Sequence, residues 1–422
     1  MIFILGFIGA PLLLWTLAVA AFLVACGVSM AIWIAFGVIA VIFNIPPIRA
    51  VLVSTGIMKV MKGILPTISE TERVAIEAGV VWVEGELFSG KPDFEKMRTE
   101  PYPSLNPEEQ AFIDGPVSKL CHMIDDWRIW QDREIPESVM NFIKKERFFG
   151  MIVPKEYGGL GFSALCHSEV VKVVSSRSLA VGITIMVPNS LGPAELLAHY
   201  GTKAQKDKYL KDLAEGKHVP CFALTEPNAG SDAGAIAASG ELFRGEDGKL
   251  YIKLNWNKRW ITLAAISTLV GLAFKLRDPK NLLGRGEDLG ITCGLIPAET
   301  KGVVLGLRHD PLGVPFYNCP TRGVDVIVPA EECIIGGLEG AGNGWKMLME
   351  CLGAGRGISL PAQSTGGVQL AAAIASAHAS IRKQFGMPIG RFEGIEEPLA
   401  RIAGTAYILE ASRRYVCGAL DK

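Results

Sequence analysis

The stretch Phe222-Ala223-Leu224-Thr225-Glu226-Pro227-Asn228-Ala229-Gly230-Ser231-Asp232 is an apolar strand end that runs into a loop of small residues. With few bulky side chains in the way, backbone amides and hydroxyls there can closely approach a ring edge or a pyrophosphate. On turn chemistry alone, Gly230-Ser231-Asp232 reads first as an ordinary turn. Trp260 and Thr262 fall in a β-patterned run, where an indole fills a core more often than it walls a cofactor. None of the six histidines pairs with a serine or cysteine nucleophile signature. The nine cysteines form no CxxC pair and no cluster with histidine, so no metal site is expected. Their scatter suits buried thiols in a reducing compartment rather than a disulfide framework. Gly340-Ala341-Gly342-Asn343-Gly344 lacks the preceding βα unit and the acidic residue that a dinucleotide loop requires, so it reads as a turn before a helix.

The elements that must position these residues follow from periodicity. Helical patterning dominates residues 106–218, with Pro107 and two acids opening one helix and Pro136-Glu137 another. Residues 190–200 and 203–216 give two more, and Tyr157-Gly158-Gly159-Leu160-Gly161 is a tight loop between helices. From Pro220 the pattern turns to β, with short apolar runs at 221–224, 250–254, 267–274, 289–296, 303–307 and 324–328. No helix of crossover length separates them, which predicts an antiparallel sheet or barrel rather than a doubly wound one. Helix returns at 347–352, 367–384 and 398–416. A lone pair of long helices cannot bury both faces, so this last bundle is expected to be incomplete.

Composition breaks sharply at the N-terminus. The 422 residues carry 42 Lys and Arg against 43 Asp and Glu, which gives no attraction to nucleic acid. Between residues 1 and 50 the only charged side chain is Arg49. A bilayer takes about 20 apolar residues per helix, so two spans are expected, at 2–23 and 28–43, turning at Cys26-Gly27 and ended by Pro46-Pro47. One tilted helix with a re-entrant segment is an open alternative. A cleaved signal peptide fits poorly, because no basic region precedes the run. Arg49, Lys59 and Lys62 follow the last span, which places the rest of the protein in the cytoplasm by the positive-inside tendency. The expected organisation is a membrane hairpin (1–53), a linker or collar (54–105, with turns at 89–92 and 101–103), a helical domain (106–219), a β-domain (220–340) and the start of a helical bundle (341–422).

The segment from Thr225 to Asp232 resembles the T-E-x-x-A-G-S-D signature of the acyl-CoA dehydrogenases. Trp260-Ile261-Thr262 is similar to that family's second flavin-contacting strand. Pro154-Lys155-Glu156-Tyr157-Gly158-Gly159 resembles its P-x-x-Y-G-G loop, and Arg382-Lys383-Gln384-Phe385-Gly386 its R-x-x-F-G helix end. With the apolar N-terminus, the resemblance is to the FadE-like, membrane-associated bacterial branch. It implies a multidomain α+β fold: an N-terminal helical domain, a middle antiparallel β-domain and an incomplete C-terminal helical bundle, preceded by a membrane hairpin. It also implies FAD as cofactor. Phe222, Leu224, Thr225, Gly230, Ser231, Trp260 and Thr262 would then lie against the flavin or its pyrophosphate. Ser231 would touch the CoA part of the substrate as well. Arg356 would stand near the substrate's reacting end. Arg382 and Phe385 would reach the FAD of a neighbouring subunit, which implies a homo-oligomer. On its own, Arg382 reads as a solvated helix residue.

Dehydrogenating an acyl-CoA means removing an α-proton while a β-hydride leaves for the flavin. A carboxylate in a dry pocket suits the base, because desolvation raises its pKa. The family's glutamate lies in an E-G-T-like or E-G-A-like segment absent here, and the alternative family position beside the helix arginine is Gly355. Glu350, Glu393, Glu396 and Glu397 are weak substitutes, so the catalytic residue is expected beyond Lys422. The resemblance implies formation of trans-2-enoyl-CoA in fatty-acid β-oxidation, with electrons passed to an electron-transfer flavoprotein, at the inner membrane facing the cytoplasm. The alternatives are an acyl-CoA oxidase-like flavoenzyme or, if Lys422 is the true end, a non-catalytic membrane-anchored flavin- and acyl-CoA-binding protein.

Overall fold

The computed structural model describes residues 2–65, 67–78, 83–100, 102–190 and 192–421, so Pro101 of the predicted collar turn and Leu191 of the predicted helix 190–200 lie outside it. The chain divides into two compact units, Met1–Ser69 and Glu70–Lys422.

In the first unit, helices α1 (Ile2–Phe7), α2 (Leu12–Ala25) and α3 (Met30–Asn44) are followed by α4 (Pro46–Arg49), a π turn (Ala50–Ser54) and α5 (Thr55–Ile64). The first expected span is not one helix. Gly9 adopts a left-handed φ of 61° and Pro11 caps α2, which breaks the run 2–23. With 14 and 15 residues, α2 and α3 reach only about 21 and 22 Å, against a hydrocarbon core of about 30 Å. The proline pair ends α3 as expected and starts the next helix at once, because a missing amide is harmless in a first turn. The helical run from Pro46 to Ile64 passes through the boundary expected after residue 53 and lies at 91° to α3. Among the described residues of 1–69 no side chain is buried.

The second unit begins with short helices α6 (Glu70–Ala78), α7 (Val83–Leu87) and α8 (Phe94–Thr99). Helices α9 (Pro107–Phe112), α10 (Ser118–Met123), α11 (Asp126–Asp132) and α12 (Glu137–Lys145) lead into the longer α13 (Ala164–Arg177) and α14 (Leu179–Ser190), then α15 (Pro193–Tyr200) and α16 (Lys203–Ala214). A capping box between Asn106 and Glu109 starts α9, and one between Thr202 and Gln205 starts α16. Phe148, Phe149, Val170, Val174 and Ile185 are fully buried among these helices, each contributing about 1.5–3 kcal/mol by leaving water.

Strands β1 (Pro220–Ala223), β2 (Ser239–Arg244), β3 (Leu250–Thr262), β4 (Leu269–Arg277), β5 (Asp288–Pro297), β6 (Val303–Leu305) and β7 (Asn318–Pro329) form one sheet. The sheet is mixed, which corrects the antiparallel expectation. Both β1 and β2 run parallel to β4 along the same edge, at Leu269–Leu272 and then at Lys275–Arg277. The chain leaves that edge at Ala223, makes an excursion over residues 224–238, and rejoins it only a few residues further along. No crossover helix is needed, because β1 and β2 are nearly one strand interrupted by a loop. β2, missed in the sequence, is held by β3 on its other side.

After α17 (Ala330–Cys333), a single 38-residue helix α18 (Gly344–Ile381) replaces the two predicted ones. Gly355 and Gly366 within it serve packing. A Cβ on Gly355 would stand 2.4 Å from the Ser190 carbonyl oxygen, and one on Gly366 2.4 Å from that of Lys172. So α18 lies on α14 and α13 at backbone distance. A small hairpin of β8 (Lys383–Gln384) and β9 (Met387–Pro388) turns the chain into α19 (Glu393–Leu420). Buried Arg413 ties α19 to α13 through Ser168 and Glu169 at 2.9 and 2.6 Å. The Asp421 carboxylate accepts from the Ala164 and Leu165 amides at 2.6 and 3.2 Å. Ile374 on α18 and Tyr407 and Ile408 on α19 are exposed.

Candidate active site

The excursion 224–238 is braced from beneath. Glu226 is buried and accepts from the Ala237 and Ala238 amides at 2.6 and 2.9 Å, which closes the loop on itself. The Lys258 ammonium on β3 has no solvent exposure; it donates to Glu226 at 2.8 Å and to the Leu224 carbonyl at 2.9 Å. The Arg259 amide donates to the Thr225 carbonyl at 3.0 Å. Burial alone would raise the Glu226 carboxyl, but the donors around it outweigh that and hold it below its ordinary value. Burial pulls the Lys258 ammonium down, and Glu226 opposes this. The pair is a charged strut under the loop.

Next to that strut β3 is irregular. Its pairing with β7 slips between Lys258 and Ile261, and Trp260 takes a φ of 60°, a left-handed conformation unusual for a bulky residue. The bulge turns the indole out of the sheet and leaves it 52% exposed, with the Arg259 guanidinium 4.8 Å over the ring and the His309 ring edge-on at 4.8 Å. Holding a tryptophan this way costs of order 1–3 kcal/mol, so the surroundings must enforce it. That is what a functional wall looks like, and it answers the reading of Trp260 as core.

One cavity of about 180 Å3 collects these parts. It is lined by Phe222, Leu224 and Thr225 from the end of β1, by Trp260, Ile261 and Thr262 from the end of β3, and by Val187, Leu352 and Arg356 from α14 and α18. Six of the residues singled out from sequence therefore meet in one place, from three separated segments. Val187, Ile261 and Leu352 were missed. Ile261 had a signal in its position between Trp260 and Thr262; Val187 and Leu352 had none beyond being apolar. Among the described residues the Thr225 side chain makes no hydrogen bond, and Thr262 receives only a long one from Asn318, 3.4 Å.

Other expected residues are not in this cavity. Gly230 and Ser231 lie on the exposed part of the loop, and a Cβ on Gly230 would meet no atom within 4 Å. The protein's own packing does not require glycine there. Arg382 and Phe385 sit at the far end of α18, Phe385 85% exposed with its ring edge against Phe392. Arg382 is 26 residues beyond Arg356, about 39 Å along the helix, so it cannot reach the same cavity.

None of the lining residues is a carboxylate. Glu350 lines a separate cavity of about 480 Å3 with Glu195 and His199, and lies 3.9 Å from Lys346. Burial pushes the Glu195 carboxyl up to about 8. Glu393, Glu396 and Glu397 lie in the first turns of α19, where Glu397 pairs with Arg401 at 2.6 Å. Lys422, past which the base was expected, is outside the described residues.

The comparisons with known proteins agree with this geometry. The N-terminal, middle and C-terminal domains of acyl-CoA dehydrogenase match residues 110–217, 221–324 and 342–422. The chain belongs to the acyl-CoA dehydrogenase family. A 3-(aryl)acrylate reductase of Clostridium sporogenes is 33% identical over 328 residues, 76% of this chain and 81% of that protein. The mitochondrial very long-chain specific acyl-CoA dehydrogenase of Bos taurus is also 33% identical over 76% of this chain, and the match spans 48% of its own length. The butyryl-CoA dehydrogenase of Megasphaera elsdenii superposes with a TM-score of 0.65 at 25% identity, covering 75% of this chain and 80% of that one. Acyl-CoA dehydrogenases are FAD-dependent oxidoreductases, and the cavity suits a flavin: an aromatic wall, apolar flanks and two hydroxyls with spare hydrogen-bonding capacity.

Proposed function

We propose that this acyl-CoA dehydrogenase family member converts an acyl-CoA to the trans-2-enoyl-CoA in fatty-acid β-oxidation and passes the electrons to an electron-transfer flavoprotein. In the same reading it is a homo-oligomer held at the inner membrane, with its second unit in the cytoplasm. The observation that carries the reaction is the single cavity in which Thr225, Trp260, Thr262 and Arg356 converge.

Bound FAD supplies the hydride acceptor. The chain's own residues do the positioning. Thr225 and Thr262 would offer hydroxyls to a bound flavin, and Trp260 would pack against it and exclude water. Lys258 and Glu226 hold the loop that presents Leu224 and Thr225. Among the described residues lining the cavity Arg356 is the one charged group, and it favours negative charge developing on the substrate. Gly230 and Ser231 leave open space for a pyrophosphate, and Arg382 and Phe385 are free to meet a second subunit.

A second reading is a membrane-anchored flavin- and acyl-CoA-binding protein without turnover; none of the described residues that line the cavity is a carboxylate. A visible spectrum of the purified protein, before and after anaerobic addition of a long-chain acyl-CoA, separates the two. Bleaching of the flavin bands supports dehydrogenation and requires a base within reach. A shift without bleaching supports binding alone. A protein that takes up no flavin overturns both.

A further inference from the structure

The first unit carries three cations, Arg49, Lys59 and Lys62, and no acid in 69 residues. All three lie on the helical run 46–64, which leaves α3 at 91°. Within α5, Ile57, Val60, Met61 and Ile64 stand at i, i+3, i+4 and i+7, which puts them on one stripe. Ile57, Val60 and Ile64 are 56%, 65% and 69% exposed. Lys59 and Lys62 lie on the opposite face with Thr55. The hairpin beside this helix has a polar base and an uncharged tip. Asn44 donates to Thr16 at 2.9 Å and Arg49 donates to the Phe43 carbonyl at 3.3 Å, which fixes the base. The tip, residues 26–29, is Cys-Gly-Val-Ser, and both arms fall about 8 Å short of crossing a hydrocarbon core.

We infer that residues 46–64 lie in the plane of an anionic bilayer surface, and that the α2–α3 hairpin enters and leaves through that same surface without its tip reaching the far side. The inference rests on the membrane attachment proposed above and adds to it a lipid class and a topology. A helix at right angles to an inserted hairpin has its axis along the membrane, with its apolar stripe among the acyl chains and its lysines among the headgroups. Unopposed cations select anionic lipid, each contributing about a fivefold preference. A tip with no charge has no need of water, and arms this short do not reach it.

The test uses the full chain, delivered from detergent to vesicles of phosphatidylcholine alone or with phosphatidylglycerol. Flotation should show tighter binding to the anionic vesicles, and K59Q/K62Q should lower that affinity on the order of 30-fold while leaving neutral vesicles unaffected. Equal binding of wild type to both vesicle types overturns the lipid selectivity. Cys26, an exposed thiol at the tip, reports the topology. Its modification by a membrane-impermeant maleimide, located by peptide mass, should be blocked from both sides of the vesicle. Labelling from the side opposite the enzyme overturns the one-sided insertion. No flotation with either lipid overturns the membrane reading itself, a result distinct from the other two.

Discussion

The run 46–64 and the strand β3 both combine apolar residues with isolated lysines, and they use them in opposite ways. In the first, apolar side chains point outward and Lys59 and Lys62 stand apart from them. In β3, apolar side chains point inward and Lys258 is buried with them, because Glu226 and the Leu224 carbonyl replace its water. Pattern alone does not separate a lysine at a surface from one inside. The partner does. A buried cation next to a carboxylate and a carbonyl is a structural member, whereas an unopposed one is a contact offered to something else.

That contrast can be broken most strongly at Lys258. Lys258→Met should cost about 3–5 kcal/mol in urea unfolding, since it strands the Glu226 carboxylate, and flavin binding should fall with it. Adding Glu226→Gln should recover part of the loss; a midpoint unchanged in the single variant would remove the strut from the argument. A second buried group acts through pH. Among the described residues His167 has no partner for either ring nitrogen, and burial lowers it to about 4. Its folded value lies below its ordinary one, so the unfolded chain takes up the proton first. The stabilisation is therefore complete above about pH 6.5 and lost as pH falls toward 4, by roughly 3 kcal/mol. In His167→Leu this acid-side slope should vanish from urea midpoints taken across that range.

Smaller effects sharpen the comparison. Gly355→Ala should destabilise by about 1–3 kcal/mol, because its Cβ meets the Ser190 carbonyl oxygen at 2.4 Å. By the same contact, Gly355→Glu should fail to supply a base, which anaerobic flavin reduction would check. The smallest effect belongs to the first unit, where a double-mutant cycle of Thr16→Val and Asn44→Leu in micelles should give a coupling of about 0.6 kcal/mol. A value several times larger would mean that the hairpin has a core of its own.

The candidate site was largely legible because most of its residues cluster in two short segments, 222–225 and 260–262, which carry the family resemblance. What sequence did not show is how Thr225 and Trp260 come together. That depends on the bulge at Trp260 and on the Lys258–Glu226 pair, neither of which has a spacing to read. α18 was read as two helices because Gly353, Gly355, Gly357 and Pro361 are local breakers, whereas tertiary packing against α13 and α14 kept it whole. The mixed sheet was missed because β1 is only four residues long and its loop hides its continuity with β2.

The bonds from Asp421 to the Ala164 and Leu165 amides also bear on how the protein is made. They join residues more than 250 positions apart, with the entire sheet between them in the chain. At about 5–20 residues per second, the ribosome needs on the order of 10–50 s to deliver the second partner after the first. Throughout that interval α13 waits for the part of its cover that α19 and Asp421 supply, so this is the stretch of biogenesis in which a chaperone would matter most.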